Sequence, residues 1–158
     1  MIDAGYDEGS GLLFGERLPG LSYRYRPAAF GILEKLGRIA LVRVTRPGDR
    51  CYHDLPGGAI DGDETAEQAL IREFAEETGL VIATGSKLLT SRQLFRKSDG
   101  EPVENAGSVF EASLVVHRPE LKVEDDHALV WMEPPAALVA LRHESHAWAV
   151  VRWLRGAA

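Results

Sequence analysis

One cysteine, Cys51, stands among 158 residues. A disulfide needs two, so no internal disulfide framework can staple the chain, and a reducing cytoplasm is the expected compartment. Long apolar runs are missing too. Stretches such as Ala136 to Leu141 fall far short of the roughly 20 residues needed to cross a bilayer, so no membrane partner is expected. The start, MIDAGYDEGSG, is acidic and polar and does not read as a signal peptide. Positive charge is in deficit: 18 Lys and Arg face 24 Asp and Glu, for a net charge of −6. That excludes the basic surface that nonspecific nucleic-acid binding requires. It leaves open a small phosphorylated ligand held through a cation. Internal repeats and low-complexity linkers are also absent.

The remainder is ordinary for a globular domain, 45% hydrophobic and 27% charged, and the length fits one domain with its own core. Residues 1–21, rich in glycine and weakly periodic, read as an N-terminal extension or edge strand. Residues 22–158 read as a single domain. Within it, Tyr23 to Glu34 has extended character, Gly37 marks a turn, and Arg38 to Thr45 is a strand ended by Pro47-Gly48. Tyr52 to Leu55 is a short strand running into Pro56-Gly57-Gly58. Further strands are expected at Leu80 to Phe95, Ser108 to Val116 and Leu129 to Met132, with Lys97 to Gly107 as a hairpin loop. Pro134-Pro135 opens a helix through Leu141. Ala147, Val150, Val151 and Leu154 mark a last amphipathic helix. Many strands and few helices predict a mixed sheet packed between helices, an α/β (α+β) fold.

The clearest helix follows the glycine turn. Thr65 and Gln68 form a capping-box pattern, Ala66, Leu70 and Phe74 supply an apolar stripe, and Gly79 suits the position just past the end. Glu73, Glu76 and Glu77, at i, i+3 and i+4, share one face of this helix. They lie in its last turn and a half, where the dipole is negative and each acidic side chain is unfavourable by ~0.3–1 kcal/mol. The like-charge pair Glu73 and Glu77 adds about 0.2–0.5 kcal/mol more. A solvated helix face is the common meaning of such a run, but stability alone would favour lysine there. A hard divalent cation bound by clustered carboxylates removes both penalties.

The register then extends beyond the carboxylates. Gly58, Glu64 and the run Arg72-Glu73-Phe74-Ala75-Glu76-Glu77-Thr78-Gly79-Leu80 match the Nudix box at every defined position, and the chain resembles the Nudix hydrolases. The resemblance implies an α/β/α sandwich and Mg²⁺- or Mn²⁺-dependent hydrolysis of a nucleoside diphosphate linked to another group. It implies Glu76 and Glu77 as principal metal ligands, and Glu73 as a further ligand or the group that orients or deprotonates water. Arg72 would hold these carboxylates, the Gly58 carbonyl would complete the metal shell, and Glu64 would steady the loop before the helix. By likeness to the triphosphate-cleaving branch, Arg43 is a candidate phosphate contact, beside Gly57 of the glycine turn; the alternative for Arg43 is a solvent-facing strand arginine. Glu124, in the acidic loop with Asp125 and Asp126, is a candidate extra ligand or base, and Glu111 is its competitor.

Subfamily signals are few. ADP-ribose-cleaving members tend to carry a proline where Leu94 and Phe95 stand, and dinucleoside-polyphosphate members a tyrosine where Arg96 stands. Elimination favours a (deoxy)nucleoside di- or triphosphate as the nucleotide substrate. A nucleotide-binding module of the same fold and an isoprenoid-diphosphate isomerase are the competing classes. The family often forms homodimers, which makes a homodimer an expectation here. His53 and Cys51 alternate on a strand and read as packing beside the loop. His143-Glu144-Ser145-His146 reads as a helix start with Ser145 as its cap. Trp131, Trp148 and Trp153 read as core, while one of them, or Tyr25 or Phe110, could stack on a base.

Overall fold

The computed structural model describes residues 11–48 and 50–156. It contains eight strands, β1 (Leu13–Phe14), β2 (Arg24–Lys35), β3 (Arg38–Arg46), β4 (Arg50–Asp54), β5 (Gly57–Ala59), β6 (Leu80–Arg96), β7 (Pro102–His117) and β8 (His127–Met132). Three helices accompany them: α1 (Ala66–Thr78), α2 (Pro134–Ala140) and α3 (Glu144–Gly156). The strands run in the order β1-β6-β7-β2-β3-β4, with β5 paired to β2 and β8 to β3. β2 and β7 pair in parallel, whereas β6/β7 and β3/β8 pair antiparallel, so the sheet is mixed.

The two-residue alternation of β2 makes the sandwich. Ala28, Phe30 and Ile32 face a core shared with Ala137, Leu141, Ala149 and Val150 of the C-terminal helical region. Ala29 and Leu33 face the opposite way, onto Leu70 and Phe74 of α1. Gly31 lies under α1 for lack of space: a Cβ there would come within 3.0 Å of the Phe74 ring. The fold is therefore a curled mixed sheet between helices.

α1 forms as its sequence dictates. The Thr65 hydroxyl accepts from Gln68 N, the Gln68 side chain accepts from Thr65 N, and Gly79 closes the helix at φ 76°. Such a cap contributes about 1 kcal/mol. The last turn holds no basic residue, so the carboxylates there meet an uncompensated dipole.

Several expectations need correction. β7 begins at Pro102, and the loop expected over Lys97 to Gly107 shrinks to residues 97–101. Glu104 and Asn105 look like loop residues, yet both are buried. Arginines distant in sequence satisfy them: Arg17, between β1 and β2, pairs with Glu104 at 2.6 Å and Arg26 of β2 donates to Asn105 Oδ1 at 3.0 Å. Ser145 does not cap α3; it lies inside the helix, and its N–H donates to Gln93 Oε1. Trp148 is 53% exposed and packs on Phe14, so it is not core. Phe110 is fully packed and cannot stack on a base. Of the N-terminal extension, Leu13–Phe14 forms an edge strand parallel to β6, and residues 1–10 lie outside the described residues. No helix among the described residues is long and apolar enough to cross a membrane.

Candidate active site

The glycine turn brings the start of β5 against the last turns of α1. Gly57 has φ 142°, and a Cβ there would lie 2.1 Å from the Ala29 carbonyl oxygen, so only glycine fits. A Cβ on Gly58 would lie 2.8–3.0 Å from the Glu73 carboxyl atoms. The glycine pair thus lets a strand backbone touch the carboxylates of α1.

Arg72 organises that cluster. Its Nε donates to Glu64 Oε2 at 2.7 Å and its Nη2 to Glu64 Oε1 at 2.9 Å, a bidentate fork. Its Nη1 donates to Glu73 at 3.0 Å and to Glu76 at 3.2 Å, and Nη2 also reaches the Ala59 carbonyl. Glu64 accepts in addition from Asp61 N, which fixes the loop before the helix. The Arg72 hydrogen bonds hold the Glu64 carboxyl down to about 2.

Glu77 is buried. Its Oε1 accepts from Gly57 N at 2.8 Å, and its Oε2 lies 3.0 Å from His127 Nε2. Burial pushes its carboxyl up to about 7, against the pull of His127 and the Gly57 N–H. Burial works against a charged His127, but Glu77 and Asp126 outweigh it and raise the imidazole to about 9. Burial also raises Glu73; Arg72 opposes the shift, and the charges of Glu76 and Glu124 add to it.

Glu73, Glu77, Gly57, Gly58 and Glu124 line one cavity of about 370 Å³. Glu124 is brought there by α1 itself: the Glu76 carbonyl accepts from both Val123 N at 2.9 Å and Glu124 N at 3.1 Å. Glu76 does not line the cavity; its carboxylate sits beside it in the grip of Arg72. Arg43 is exposed and also off the cavity, because it is one residue out of phase with Val44 and Arg46, which do line it. Glu111 is absent from the lining as well. Gly57 commits its N–H to Glu77.

Sequence reasoning missed the rest of the lining. Arg142 forks onto Asp54, with its Nη2 2.7 Å from Oδ2, and stacks with Cζ 3.6 Å from the Tyr52 ring centroid. Phe95 lies on the same guanidinium at 5.2 Å. Arg46 donates to the Tyr52 hydroxyl and, at 2.8 Å, to Asp126. The available signal was the two-residue phase of β4, which puts Tyr52 and Asp54 on one face, away from Cys51 and His53. Tyr52 and Phe95, and not the tryptophans, are the aromatic faces at the cavity.

The donor set fits a hard divalent cation. Two partly or fully buried carboxylates with raised proton affinity, a third carboxylate at Glu124 and a glycine backbone line the same cavity, and such oxygen ligands suit Mg²⁺ or Mn²⁺. Glu124, Asp126 and His127 also lie close together, but His127 engages Glu77 and Asp126 through its two ring nitrogens, which leaves it no lone pair for an ion.

Comparison with known proteins agrees with this geometry. A family model, the NUDIX domain, matches residues 23–154. An ADP-ribose pyrophosphatase of Methanocaldococcus jannaschii is 37% identical over 100 residues, which are 63% of this chain and 56% of that protein, so the chain spans about half the length of that curated relative. A CTP pyrophosphohydrolase of Escherichia coli is 32% identical over 111 residues, 68% of this chain and 75% of that one. Among solved structures, a NUDIX hydrolase from Nitrosomonas europaea superposes with a TM-score of 0.67 at 20% identity, covering 84% of this chain and 90% of its own, a likeness of fold.

Proposed function

The chain belongs to the NUDIX hydrolase family, and on that premise we propose that it is a divalent-metal-dependent pyrophosphohydrolase of a nucleotide, cleaving a (deoxy)nucleoside di- or triphosphate at a phosphoric anhydride bond. The observation that carries this reading is that Glu73, Glu77 and Glu124 line the same cavity as a cationic and aromatic wall, with Glu73 set against Gly58 and gripped by Arg72. Carboxylates alone repel a diphosphate. Carboxylates beside arginines and a metal bind one.

Glu77 and Glu124, with the Gly58 carbonyl, would hold the cation, with Glu76 beside them and Glu73 facing the attacking water. When bound, Mg²⁺ or Mn²⁺ supplies charge neutralisation of the phosphate oxygens and an acidified water. Glu73 has the raised proton affinity of a base and only one oxygen engaged by Arg72, so its second oxygen is available to take a proton from water. The water oxygen forms the new bond to phosphorus, the bridging P–O bond breaks, and the leaving phosphate carries away the electron pair. Tyr52, Phe95 and Arg142 form the planar surface for the base.

A panel of nucleotides with Mg²⁺, scored for phosphate or pyrophosphate release, tests the reading. Turnover of at least one nucleotide that is lost in Glu76→Gln and Glu77→Gln supports it. Turnover that survives both changes refutes the metal assignment.

A further inference from the structure

The cations that line the cavity are not equivalent. Arg24 is paired with Glu101, Arg46 with Asp126, Lys97 with Asp99 and Glu101, and Arg142 with Asp54. Among the described residues, Arg26 has no carboxylate within ion-pair distance. Its one hydrogen bond runs from Nη1 to Asn105 Oδ1 at 3.0 Å. Asn105 is itself buried, and it is Arg26's register partner across the parallel β2/β7 pair. The guanidinium is half-buried on the cavity wall, close enough to feel the charges of Glu73, Asp54 and Glu77 without touching them.

A desolvated arginine with one neutral partner and unused N–H donors is an incomplete arrangement. The neighbouring pairs show what completion looks like, since each other cation there meets an anion. No described side chain supplies the anion for Arg26. The group that does must be planar-accessible, anionic and close to the Glu73 and Glu77 carboxylates, and a phosphate oxygen of the substrate has that chemistry.

We propose that Arg26 is a substrate-binding residue that takes a phosphate oxygen next to the carboxylate cluster, and that Asn105 is the residue that positions it. This rests on the reading of the cavity as a nucleotide diphosphate site. It moves the phosphate arginine from Arg43 on β3 to β2, one strand nearer to β7. Arg26 and not its neighbours is the selective element, because binding an anion there breaks no existing ion pair. Asn105 acts by fixing one Nη, which leaves the other edge of the fork aimed into the cavity.

The test is calorimetric titration of inorganic pyrophosphate in Mg²⁺ into the wild-type chain, Arg26→Gln, Arg26→Lys and Asn105→Ala, with nucleotide turnover measured in parallel. Arg26→Gln is expected to weaken pyrophosphate binding by about tenfold or more, the loss of a charge-assisted hydrogen bond, and to raise KM with little change in kcat. Arg26→Lys is expected to restore much of the binding, and Asn105→Ala to lie between. Pyrophosphate binding by Arg26→Gln within about twofold of wild type, with the melting temperature intact, overturns the assignment. No pyrophosphate binding to wild type overturns it too. If Arg26→Gln fails to fold, the decision passes to Asn105→Ala, where unchanged affinity overturns the positioning role and with it the proposal. Wild type that binds pyrophosphate through Arg26 but turns over no nucleotide contradicts the proposed activity alone, so the two failures are distinct.

Discussion

His127 Nε2 lies 3.0 Å from Glu77 Oε2, and Nδ1 of the same ring lies 2.8 Å from Asp126 Oδ1. A charged imidazole donates through both nitrogens, so His127 bridges a buried carboxylate of α1 to the loop before β8. Arg46 holds the far side of Asp126. The position of Glu77 is therefore set from the sheet as well as from its own helix. His127→Ala leaves the Glu77 carboxylate buried with the Gly57 N–H as its remaining partner. Stability measured by urea unfolding is expected to fall by about 2–3 kcal/mol, the cost of stranding a buried charge. A change under about 0.5 kcal/mol would show that the bridge does not hold Glu77.

The two neighbouring glycines are expected to fail differently. Gly57→Ala forces a Cβ against the Ala29 backbone at a φ of 142°, so the penalty falls on folding and a loss of several kcal/mol, on the order of 3 or more, is expected in chemical denaturation. Gly58→Ala meets the Glu73 side chain, which can rotate away. That variant is expected to fold and to lose roughly 100-fold in kcat, because a misplaced catalytic group of about 1 Å costs that much. Equal melting temperatures for Gly57→Ala and wild type would contradict the first expectation, and full activity of Gly58→Ala the second.

Arg72→Lys keeps the charge and loses the fork. A lysine ammonium cannot make the paired contacts to Glu64 while also reaching Glu73 and Glu76. Turnover is expected to fall about 10- to 100-fold with a small change in stability, as for a lost supporting residue of a metal site. Steady-state kinetics that match wild type would remove Arg72 from its organising role.

Stability should fall in mild acid because two buried histidines resist protonation. Burial lowers His146 to about 4, with Arg142 adding to the shift and Asp54 opposing it, and burial and His146 lower His143 to about 3. His146 Nδ1 accepts a hydrogen bond from Leu55 N, which protonation at that atom would break. Below the ordinary histidine value near 6.5 the unfolded chain binds protons that the folded chain refuses. The two histidines therefore make stability rise with pH across the window from about 4 to 6.5, by up to about 1.4 kcal/mol per pH unit each, while Glu77, raised to about 7, offsets part of that slope with the opposite sign. Urea midpoints from pH 7 to pH 5 check this, and His143→Gln is expected to flatten the slope. A pH slope unchanged between wild type and a folded His143→Gln variant would contradict the burial of a neutral histidine at that position.

Local chemistry was legible in the sequence where a short stretch contains all of its own partners. Thr65, Gln68 and Gly79 determine α1 within fifteen residues, and the Glu64–Arg72 fork closes across the N-terminal half of that helix. Pairing over long separations was not legible. Glu104 and Asn105 read as loop because their polarity is satisfied by Arg17 and Arg26, which arrive from far earlier in the chain. His127 carries no signal in the sequence, because its partner Glu77 lies far from it along the chain. Arg43 and Arg46 both sit on β3, and only the phase of the strand against β4 and β8 decides that Arg46 faces the cavity. Glu124 lines the cavity beside Glu73 and Glu77, although its tether, the Glu76 carbonyl, is a tertiary contact that no sequence pattern carries.

The most direct measurement is the rate of phosphoric anhydride cleavage by the purified chain on a nucleoside triphosphate, with Mg²⁺ and again after removal of metal by chelation, for wild type beside Glu77→Gln. The expected result is release of phosphate or pyrophosphate by wild type with Mg²⁺, and rates reduced to background both by chelation and by the single carboxylate-to-amide change. Cleavage that continues at an undiminished rate in chelator, or in a folded Glu77→Gln variant, would contradict the claim that the carboxylates over Gly58 hold the metal that makes this fold a hydrolase.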